Sequence, residues 1–302
     1  MKTQPYSNKV GFAVGTGRCG TKFLSKILQL EPDVSSVHER NPLNETFHRY
    51  SKWYNLPIDH EGFLNAKARE INKDLLGHSY SFEASAHLSL SVEELYKYFD
   101  AKIVLLVRSP ELVVNSYLKK GWYTSDFIRA DSNLAPGYQN STHFHHFLGR
   151  IVPSGKEFKT WKNFTRVGKL AWYWNHLNKK VIELLQAIPE THWRIAKLEK
   201  LSYENYGALC EFLGFSPTIS KHTYNAISLE RPNAIPQVPT IASWSPREIE
   251  EFEFQVAPMA ARLEYPCKVS ELQVYRPKMP TMKNKFKTKY KEAKKFLKKS
   301  IV

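Results

Sequence analysis

The sequence predicts an α/β fold of three layers, in which helices cover both faces of a central, mainly parallel sheet. Three observations predict this architecture. Short apolar runs alternate with segments of helical periodicity along most of the chain. A turn containing three glycines joins the first apolar run directly to a helical pattern. The length of 302 residues suits one large domain, which we assign to residues 1–275, with residues 276–302 as a separate tail.

The order of these patterns assigns the elements along the chain. The predicted strands are residues 10–14, 34–37, 79–83, 102–107 and 193–197. Helices are predicted to begin near residues 21, 62, 91, 110, 159, 203 and 246. Residues 121–156 are rich in Gly, Pro, Asn, His and aromatic side chains without a clear period, which predicts a long surface loop or lid. The three prolines within residues 231–242 predict an ordered loop.

Positive charge is concentrated at the C-terminus. The formal net charge is +15, and residues 276–302 hold eleven Lys or Arg and one acidic residue, a net of +10. The body carries only the remaining +5, so the basic pI of the chain comes mostly from the tail. A basic pI of this origin is weak evidence for nucleic-acid binding, and we expect no specific nucleic-acid partner. Phe286, Tyr290, Phe296 and Ile301 recur at roughly helical spacing among the tail lysines. A soluble tail or a helix docked on the body is the favoured interpretation, and peripheral contact with an anionic membrane or a polyanion is the alternative that this pattern offers.

Cysteine content and hydropathy bear on the compartment. Cys19, Cys210 and Cys267 are odd in number and match no zinc or disulfide spacing, which predicts free thiols in a reducing compartment. The sequence has no apolar run long enough to span a membrane and no signal-peptide core at its N-terminus. We therefore expect a cytoplasmic protein, peripheral to a membrane if the tail binds one. Three Asn-x-Ser/Thr triplets make a secretory lumen the alternative.

The stretch GFAVGTGRCGTKFLSKIL, residues 11–28, predicts a strand, a tight turn and a helix. Such a junction presents unpaired backbone N–H groups and the positive end of the helix dipole to an anion. It differs from the Gly-x4-Gly-Lys-Ser/Thr loop of ATPases, since Thr21 precedes Lys22, and Phe23 stands in place of the magnesium-binding hydroxyl. The pattern predicts a P-loop-like turn that binds phosphate but not a metal-bridged triphosphate.

The segment GTGRCGTKFL resembles the 5′-phosphosulfate loop of the sulfotransferases, which use 3′-phosphoadenosine 5′-phosphosulfate (PAPS). That loop typically reads Lys or Arg, Ser, Gly, Thr, Thr. Its places are held here by Arg18, Cys19, Gly20, Thr21 and Lys22, and Phe23 follows. The resemblance implies that these residues bind the donor, with Cys19 contributing its backbone N–H. It also implies that Arg18 stabilises the leaving 5′-phosphate.

The stretch KIVLLVRSPELVVNSYLKKGW, residues 102–122, resembles a second signature of this family, an Arg at a strand end and a Ser eight residues later. Arg108 follows an apolar run, and Ser109 with Pro110 is typical of a helix start. Ser116 then lies about two turns into that helix. Ligands of open α/β sheets bind beyond the C-terminal strand ends. The resemblance implies that Arg108 and Ser116 bind the 3′-phosphate of the donor.

Three further stretches extend the resemblance over most of the chain. LAWYWNHLNK, residues 170–179, resembles the family's aromatic helix. WRIAKLEKLSYENYGALCEFLGF, residues 193–215, resembles its last core strand, acidic turn and following helix. SWSPREIEEFEFQVAPMAARLEY, residues 243–265, resembles its closing helix.

The stretch PDVSSVHERNPLNE, residues 32–45, contains the candidates for a general base. His38 and Glu39 emerge at the C-terminal end of the predicted second strand. The stretch resembles the tyrosylprotein sulfotransferases and related bacterial enzymes, whose catalytic Glu aligns with Glu39. His38 is the alternative base, because cytosolic sulfotransferases use a His. A structural role for either residue, in capping Arg40 or a helix near Pro42, is the third interpretation.

The stretch SFEASAHL, residues 81–88, falls where heparan-type sulfotransferases often read Glu-Lys-Ser/Thr-Pro. Glu83 and Ser85 match that motif, whereas Ala84 replaces its Lys, which argues against a close heparan-type relative. Ser85 or His87 is expected to line the acceptor pocket. The stretch THFHHF, residues 142–147, lacks the helical His pair and nearby carboxylates of a metal site, so no metal is predicted.

These signatures predict an enzyme that transfers a sulfuryl group from PAPS to an acceptor hydroxyl without a metal. The aromatic-rich residues 121–174 are expected to stack on sugar faces, which favours a glycan or a lipid-linked sugar as acceptor. A protein tyrosine and a small phenol stay open as other acceptors. Two alternatives stay open. One is a nucleotide-dependent kinase that uses the same loop, and the other is a non-catalytic protein that binds polyanions or membranes.

Overall fold

A five-stranded sheet forms the centre of the computed structural model, which describes residues 6–124, 150–230 and 241–275. The strands are β1 (Val10–Gly15), β2 (Val34–His38), β3 (Tyr80–Ala84), β4 (Lys102–Val107) and β5 (Trp193–Lys197). Their order is β2-β3-β1-β4-β5, and each neighbouring pair is parallel. Each predicted strand boundary lies within one residue of the observed one, and the predicted parallel sheet is confirmed.

Helices lie against both faces of this sheet. In chain order they are α1 (Thr21–Leu28), α2 (Pro42–Trp53), α3 (His60–Asp74), α4 (Val92–Phe99), α5 (Pro110–Lys119), α6 (Gly155–Lys162), α7 (Arg166–Gln186), α8 (Tyr203–Leu213), α9 (Lys221–Glu230), α10 (Pro246–Arg262) and α11 (Val269–Tyr275). Helices α5, α7 and α10 pack together on one face, and α1, α8 and α9 cover the other.

The alternation of side chains along β4 shows why the sheet needs two helical layers. Ile103, Leu105 and Val107 are buried in one hydrophobic cluster, whereas Val104 and Leu106 are buried in the other. A strand that is buried on both faces is apolar at consecutive positions, which is why this run could be recognised in the sequence. The predicted three-layer α/β/α fold is confirmed.

Helix α2 is missing from the helices predicted by apolar periodicity, because its polarity is reversed; a helix near Pro42 entered only as a possible structural role for His38 or Glu39. Its buried side chains include Glu45, His48 and Arg49. On its exposed side, Leu43 and Phe47 retain 47% and 41% of their accessible surface. A search for apolar residues at helical spacing finds the core face of a helix only when that face is apolar. The polar face of α2 indicates that this helix packs against a polar interior rather than the hydrophobic core.

The segment predicted as a surface loop, residues 121–156, is anchored at both ends. Tyr123, Ile151 and Val152 are buried, and the Tyr123 hydroxyl donates to the Ile151 carbonyl. Helix α6 already begins at Gly155. The prediction of a surface loop is therefore wrong for these ends, which belong to the core. Residues 125–149 lie outside the described residues, as do residues 231–240 of the second predicted loop.

The aromatic residues expected to stack on sugars belong mostly to the core. Trp161, Trp172, Tyr173 and Trp174 are all buried within the same hydrophobic cluster. They fill space between α6, α7 and the sheet, so they present no open face to a ligand. This part of the argument for a sugar acceptor is wrong.

The tail, residues 276–302, lies outside the described residues, so its assignment as a separate unit and its contact with a membrane stay predictions. Within the described ranges, no helix combines the length and the apolarity that crossing a bilayer requires.

Candidate active site

Four connections meet at the C-terminal edge of the sheet. Because all five strands run parallel, the turn after β1, Glu39 after β2, Ser85 after β3 and Arg108 after β4 emerge on the same side. Strand β1 lies between β3 and β4, so the chain changes direction across the sheet at this point. Open α/β sheets bind their ligands in the crevice at such a switch point.

The turn between β1 and α1 follows a backbone path that requires glycine. Gly17 and Gly20 have φ angles of 81° and 106°. A Cβ on Gly17 would lie 2.2 Å from the Tyr117 hydroxyl oxygen, and one on Gly20 would lie 2.6 Å from Leu198 Cδ1. Arg18, between them, also has a positive φ of 57°. A side-chain-bearing residue rarely adopts this conformation, and such residues cluster at functional sites.

Buried hydroxyl groups hold the carbonyls of this turn on its inner side. The Thr16 carbonyl accepts hydrogen bonds from the Tyr117 and Tyr173 hydroxyls, at 2.6 and 2.8 Å. The Gly15 carbonyl accepts one from Ser89 Oγ at 2.5 Å. The first turn of a helix, by contrast, directs its N–H groups outward along the helix axis. The turn and the N-terminus of α1 therefore suit an anion beyond the sheet edge.

Cys19 can offer a ligand only its backbone. Its side chain is fully buried in the hydrophobic cluster beneath the turn, next to Ala13 and Leu106. Burial raises the pKa of the thiol to about 11. The thiol is therefore protonated at neutral pH, and the replacement of the family's usual Ser by Cys leaves the ligand-facing side of the turn unchanged.

The remaining residues of the predicted loop lie in three different environments. Thr21 is buried, and its Oγ1 lies 3.1 Å from His38 Nε2. Lys22 is exposed to solvent. Phe23 is half-buried and contacts the Tyr224 ring edge-on, with the ring centroids 6.1 Å apart. Lys22 can thus add charge above the turn, whereas Phe23 mainly anchors α1 to α9.

Direct hydrogen bonds connect the two predicted anion sites. Arg108 Nη1 donates to the Arg18 carbonyl at 3.0 Å, and Arg18 Nε donates to Ser116 Oγ at 2.6 Å. The backbone at Arg108 is itself fixed, because its carbonyl accepts from Trp174 Nε1 at 3.0 Å and the next N–H donates to Glu199 Oε1 at 2.9 Å. The structure therefore brings Arg18, Arg108 and Ser116 together, although they lie up to 98 residues apart.

Glu39 lies at the end of β2 in a left-handed conformation, with φ 51°. Its backbone N–H donates to the Ala84 carbonyl at 3.1 Å. Burial, and secondarily the neighbouring Glu45 carboxylate, raise the pKa of Glu39, while Arg49, Arg18 and Lys22 oppose that increase. A half-buried carboxylate with a raised pKa, at the same sheet edge as the two predicted anion sites, is suited to accept a proton.

His38 lies between Glu39 and the turn. Its Nδ1 is 3.9 Å from Glu39 Oε2, and its Nε2 contacts Thr21 as described above. Burial, aided by the positive charge of Lys22, lowers the pKa of His38. The imidazole is therefore neutral at neutral pH, with one of its two nitrogens engaged by Thr21.

Two further residues surround Glu39. His87, expected to line the acceptor pocket, has its Nε2 3.7 Å from Glu39 Oε1 and its Nδ1 2.8 Å from Thr46 Oγ1. Burial, aided by the charge of Arg49, lowers the pKa of His87 to about 3. Arg49 was not predicted as a site residue; it is buried, and its Nη1 donates to the Ala86 carbonyl at 3.1 Å. The buried polar face of α2 is the feature that would have identified it.

No group of three or more His, Cys, Asp or Glu side chains within the described ranges is arranged to hold a metal ion. The His-containing stretch at residues 142–147 lies outside those ranges.

Three solved bacterial structures resemble the chain at low sequence identity. A sulfotransferase from Alicyclobacillus acidocaldarius is 19% identical, with a TM-score of 0.46 over 84% of this chain and 93% of that one. The sulfotransferase domain of the Synechococcus PCC 7002 olefin synthase is 13% identical, with a TM-score of 0.47 over 88% and 99% of the two chains. A sulfotransferase from Mycobacterium avium is 12% identical, with a TM-score of 0.46 over 87% and 78%. Curated proteins yield no significant match.

The family model of the sulfotransferase domain matches residues 11–218. This range begins in β1 and includes the turn, Glu39, Arg108 and Ser116. The match covers more than half of the chain, and the chain therefore belongs to the sulfotransferase family.

Proposed function

We propose that this sulfotransferase takes its sulfuryl group from PAPS, transfers it to a hydroxyl of a glycan or a lipid-linked sugar, and releases adenosine 3′,5′-bisphosphate. One observation carries the proposal. The turn after β1 and Arg108 after β4 are joined by a hydrogen bond of 3.0 Å, at the same sheet edge as the Glu39 carboxylate. Paired anion sites of this kind suit a nucleotide that carries phosphate at both its 5′ and 3′ positions.

The described residues fit such a donor. The N–H groups of the turn and the Arg18 side chain would hold its 5′ end, and Arg108 with Ser116 would hold its 3′-phosphate. Because Ser116 Oγ accepts from Arg18, its own hydroxyl hydrogen can be donated to a phosphate oxygen. Bound PAPS supplies a sulfuryl group already attached to a phosphate leaving group. The chain contributes positive charge that stabilises the phosphate leaving group, and it orients donor and acceptor. We propose that neither task needs a metal.

Glu39 is the group we propose to accept the proton of the acceptor hydroxyl. Its raised pKa makes its carboxylate a stronger base than that of an exposed glutamate. His38 is less suited to this task, because one ring nitrogen contacts Thr21 and burial makes the other a weaker base.

The start of α2 supports an acceptor with an apolar part. Leu43 and Phe47 are four residues apart, so they lie on the same side of the helix, and both are exposed. The helix begins three residues after Glu39. A lipid-linked sugar would combine a hydroxyl for Glu39 with an apolar portion for this surface, which is why we favour it over a free polar glycan.

An acceptor screen with radiolabelled PAPS tests the proposal. The panel contains a lipid-linked sugar, a free oligosaccharide, a tyrosine peptide and a small phenol, each with and without a chelator. We expect label on the lipid-linked sugar, at a rate that the chelator leaves unchanged. Label only on the peptide or the phenol would refute the acceptor class. No label on any acceptor, together with magnesium-dependent phosphate transfer from labelled ATP, would refute the donor.

A further inference from the structure

Two buried carboxylates bind the backbone that follows Glu39. The Arg40 N–H donates to Glu83 Oε1 at 2.9 Å, and the Asn41 N–H donates to Glu45 Oε1 at 3.0 Å. The side chains of Glu45 and Glu83 are only 0% and 3% exposed. Solvent therefore does not compete with the backbone N–H groups for their oxygens. Glu83 comes from β3 and Glu45 from α2, so two elements converge on this short stretch of chain.

Lys67 of α3 connects the two carboxylates. Its Nζ contacts Glu45 Oε1, and it lies 2.7 Å from Glu83 Oε2. Ser85 Oγ donates to the remaining oxygen of Glu45. Burial and the neighbouring Glu45 raise the pKa of Glu83, whereas Lys67 lowers it. A buried cluster of this kind is weak evidence for stabilisation, because desolvation offsets most of the attraction between the charges.

The backbone that these groups hold is an unfavourable one. Glu39 has a φ of 51°, a conformation that costs energy for a residue with a side chain and persists only when its surroundings enforce it. Three successive N–H groups are held here: that of Glu39 by the Ala84 carbonyl, that of Arg40 by Glu83 and that of Asn41 by Glu45. The side-chain direction of Glu39 depends on this path.

We propose that Glu45, Glu83 and Lys67 are positioning residues, which hold the backbone after β2 so that the Glu39 carboxylate faces the acceptor hydroxyl. The inference rests on the proposed role of Glu39 as the base. It assigns a task to a buried charged cluster that lies outside the residues proposed to bind the donor and outside the hydrophobic core. Loss of the cluster should lower kcat and leave nucleotide affinity intact, because the turn after β1 is held separately by Tyr117 and Tyr173.

A matched pair of variants tests the hydrogen bond to Arg40. Glu83→Gln and Glu83→Met both remove the titratable carboxyl group at nearly constant volume, but only Gln keeps an oxygen that accepts the Arg40 N–H. We expect Glu83→Met to lower kcat by about 10- to 100-fold relative to Glu83→Gln, since a misplacement of about 1 Å can cost that much. The Kd for adenosine 3′,5′-bisphosphate should be equal in the two variants.

A second buried carboxylate provides the control for stability. Glu31 is also 3% exposed, but it accepts from Tyr206 and Thr218 at the other end of β2. Glu31→Met should lower the unfolding temperature without lowering kcat at a temperature where the variant is folded. Equal kcat in the two Glu83 variants would overturn the proposal. So would a comparable loss of kcat in Glu31→Met.

Repeating the Glu83 pair in a Glu39→Gln background separates this inference from the proposed function. If Glu83 acts through Glu39, Glu83→Met should cost no further activity there; a full additional loss would overturn the positioning role. If Glu39→Gln alone leaves kcat unchanged, the base assignment fails instead, and the positioning role fails with it.

If Glu83→Met does not fold, Ser85→Ala replaces it as the test variant. Ser85→Ala removes the hydrogen bond from Ser85 Oγ to Glu45, so we expect kcat to fall by about threefold or more. An unchanged kcat would overturn the proposal.

Discussion

Substitution of Arg108 by Ala should separate two contributions to nucleotide binding. Arg108 Nη1 donates to the Arg18 carbonyl, and the same guanidinium is predicted to bind the 3′-phosphate of the donor. The first contact supports the turn, which any adenosine 5′-phosphate would use. The second serves only nucleotides that carry a 3′-phosphate. Arg108→Ala should therefore weaken both classes, but to different extents.

The size of each effect follows from the contacts involved. Loss of a hydrogen bond to the Arg18 carbonyl costs about 0.5–1.5 kcal/mol, which weakens every nucleotide by about 2- to 12-fold. Loss of charged bonds to a phosphate costs about 2–3 kcal/mol more, since one such bond contributes about 1.5–3 kcal/mol. We expect adenosine 3′,5′-bisphosphate to lose an additional factor of about 30 to 150 in affinity.

Isothermal titration at fixed ionic strength measures this ratio directly. Adenosine 3′,5′-bisphosphate and adenosine 5′-monophosphate are titrated into the wild type, Arg108→Ala and Arg194→Ala. Arg194 is the charge-matched control, because it is exposed on β5 and donates to the Ala208 carbonyl, away from the turn. Equal weakening of the two nucleotides in Arg108→Ala would refute the assignment of the 3′-phosphate site.

Further predictions concern the base and the turn. Glu39→Gln should lower kcat by roughly 10²- to 10⁴-fold. The same substitution should raise the thermal midpoint of unfolding at pH 7. Burial raises the pKa of Glu39, so ionising this carboxyl in the folded protein costs stability at any pH above its unfolded-state pKa. An unchanged rate and an unchanged midpoint would contradict this prediction. For the same reason, kcat of the wild type should fall on acidification with an apparent pKa above about 4.3, the ordinary value for Glu, and an acid limb at or below that value would not fit. Gly17→Ala should lower the free energy of unfolding by about 1–2 kcal/mol, because residue 17 has a positive φ, and by about 1 kcal/mol more, because the new Cβ displaces the Tyr117 hydroxyl. Urea unfolding would measure this loss. Cys19 should resist alkylation in the native protein, since burial raises the pKa of its thiol to about 11. Rapid alkylation of Cys19, detected by mass spectrometry, would contradict this and show that the turn opens.

The parts of the fold that could be predicted are those with local causes. Strand β4 was predicted with its observed bounds, because a strand buried on both faces is apolar at consecutive positions, as it is here after Lys102. The turn at Gly17 and Gly20 was recognisable, since a left-handed backbone beside a helix start requires glycine. The joint location of Arg18 and Arg108 followed from parallel strands, whose carboxyl ends share an edge.

The parts that escaped prediction depend on contacts between distant elements. The buried cluster draws Glu45 from α2, Lys67 from α3 and Glu83 from β3, and no spacing in the sequence indicates that these side chains meet. Glu45 also belongs to the polar inner face of α2, which hid the helix from a search for apolar periodicity. Trp172 and Trp174 were misinterpreted for the opposite reason, because aromatic composition does not distinguish a ligand surface from a packed core.

A crystal structure of the complex with adenosine 3′,5′-bisphosphate would test the central claim most directly. The claim is that a single nucleotide bridges the turn after β1 and the end of β4. We expect its 5′-phosphate within hydrogen-bonding distance of the backbone N–H groups at residues 18–23, and its 3′-phosphate on Arg108 and Ser116. A 3′-phosphate bound anywhere else, with Arg108 turned away from it, would contradict the account.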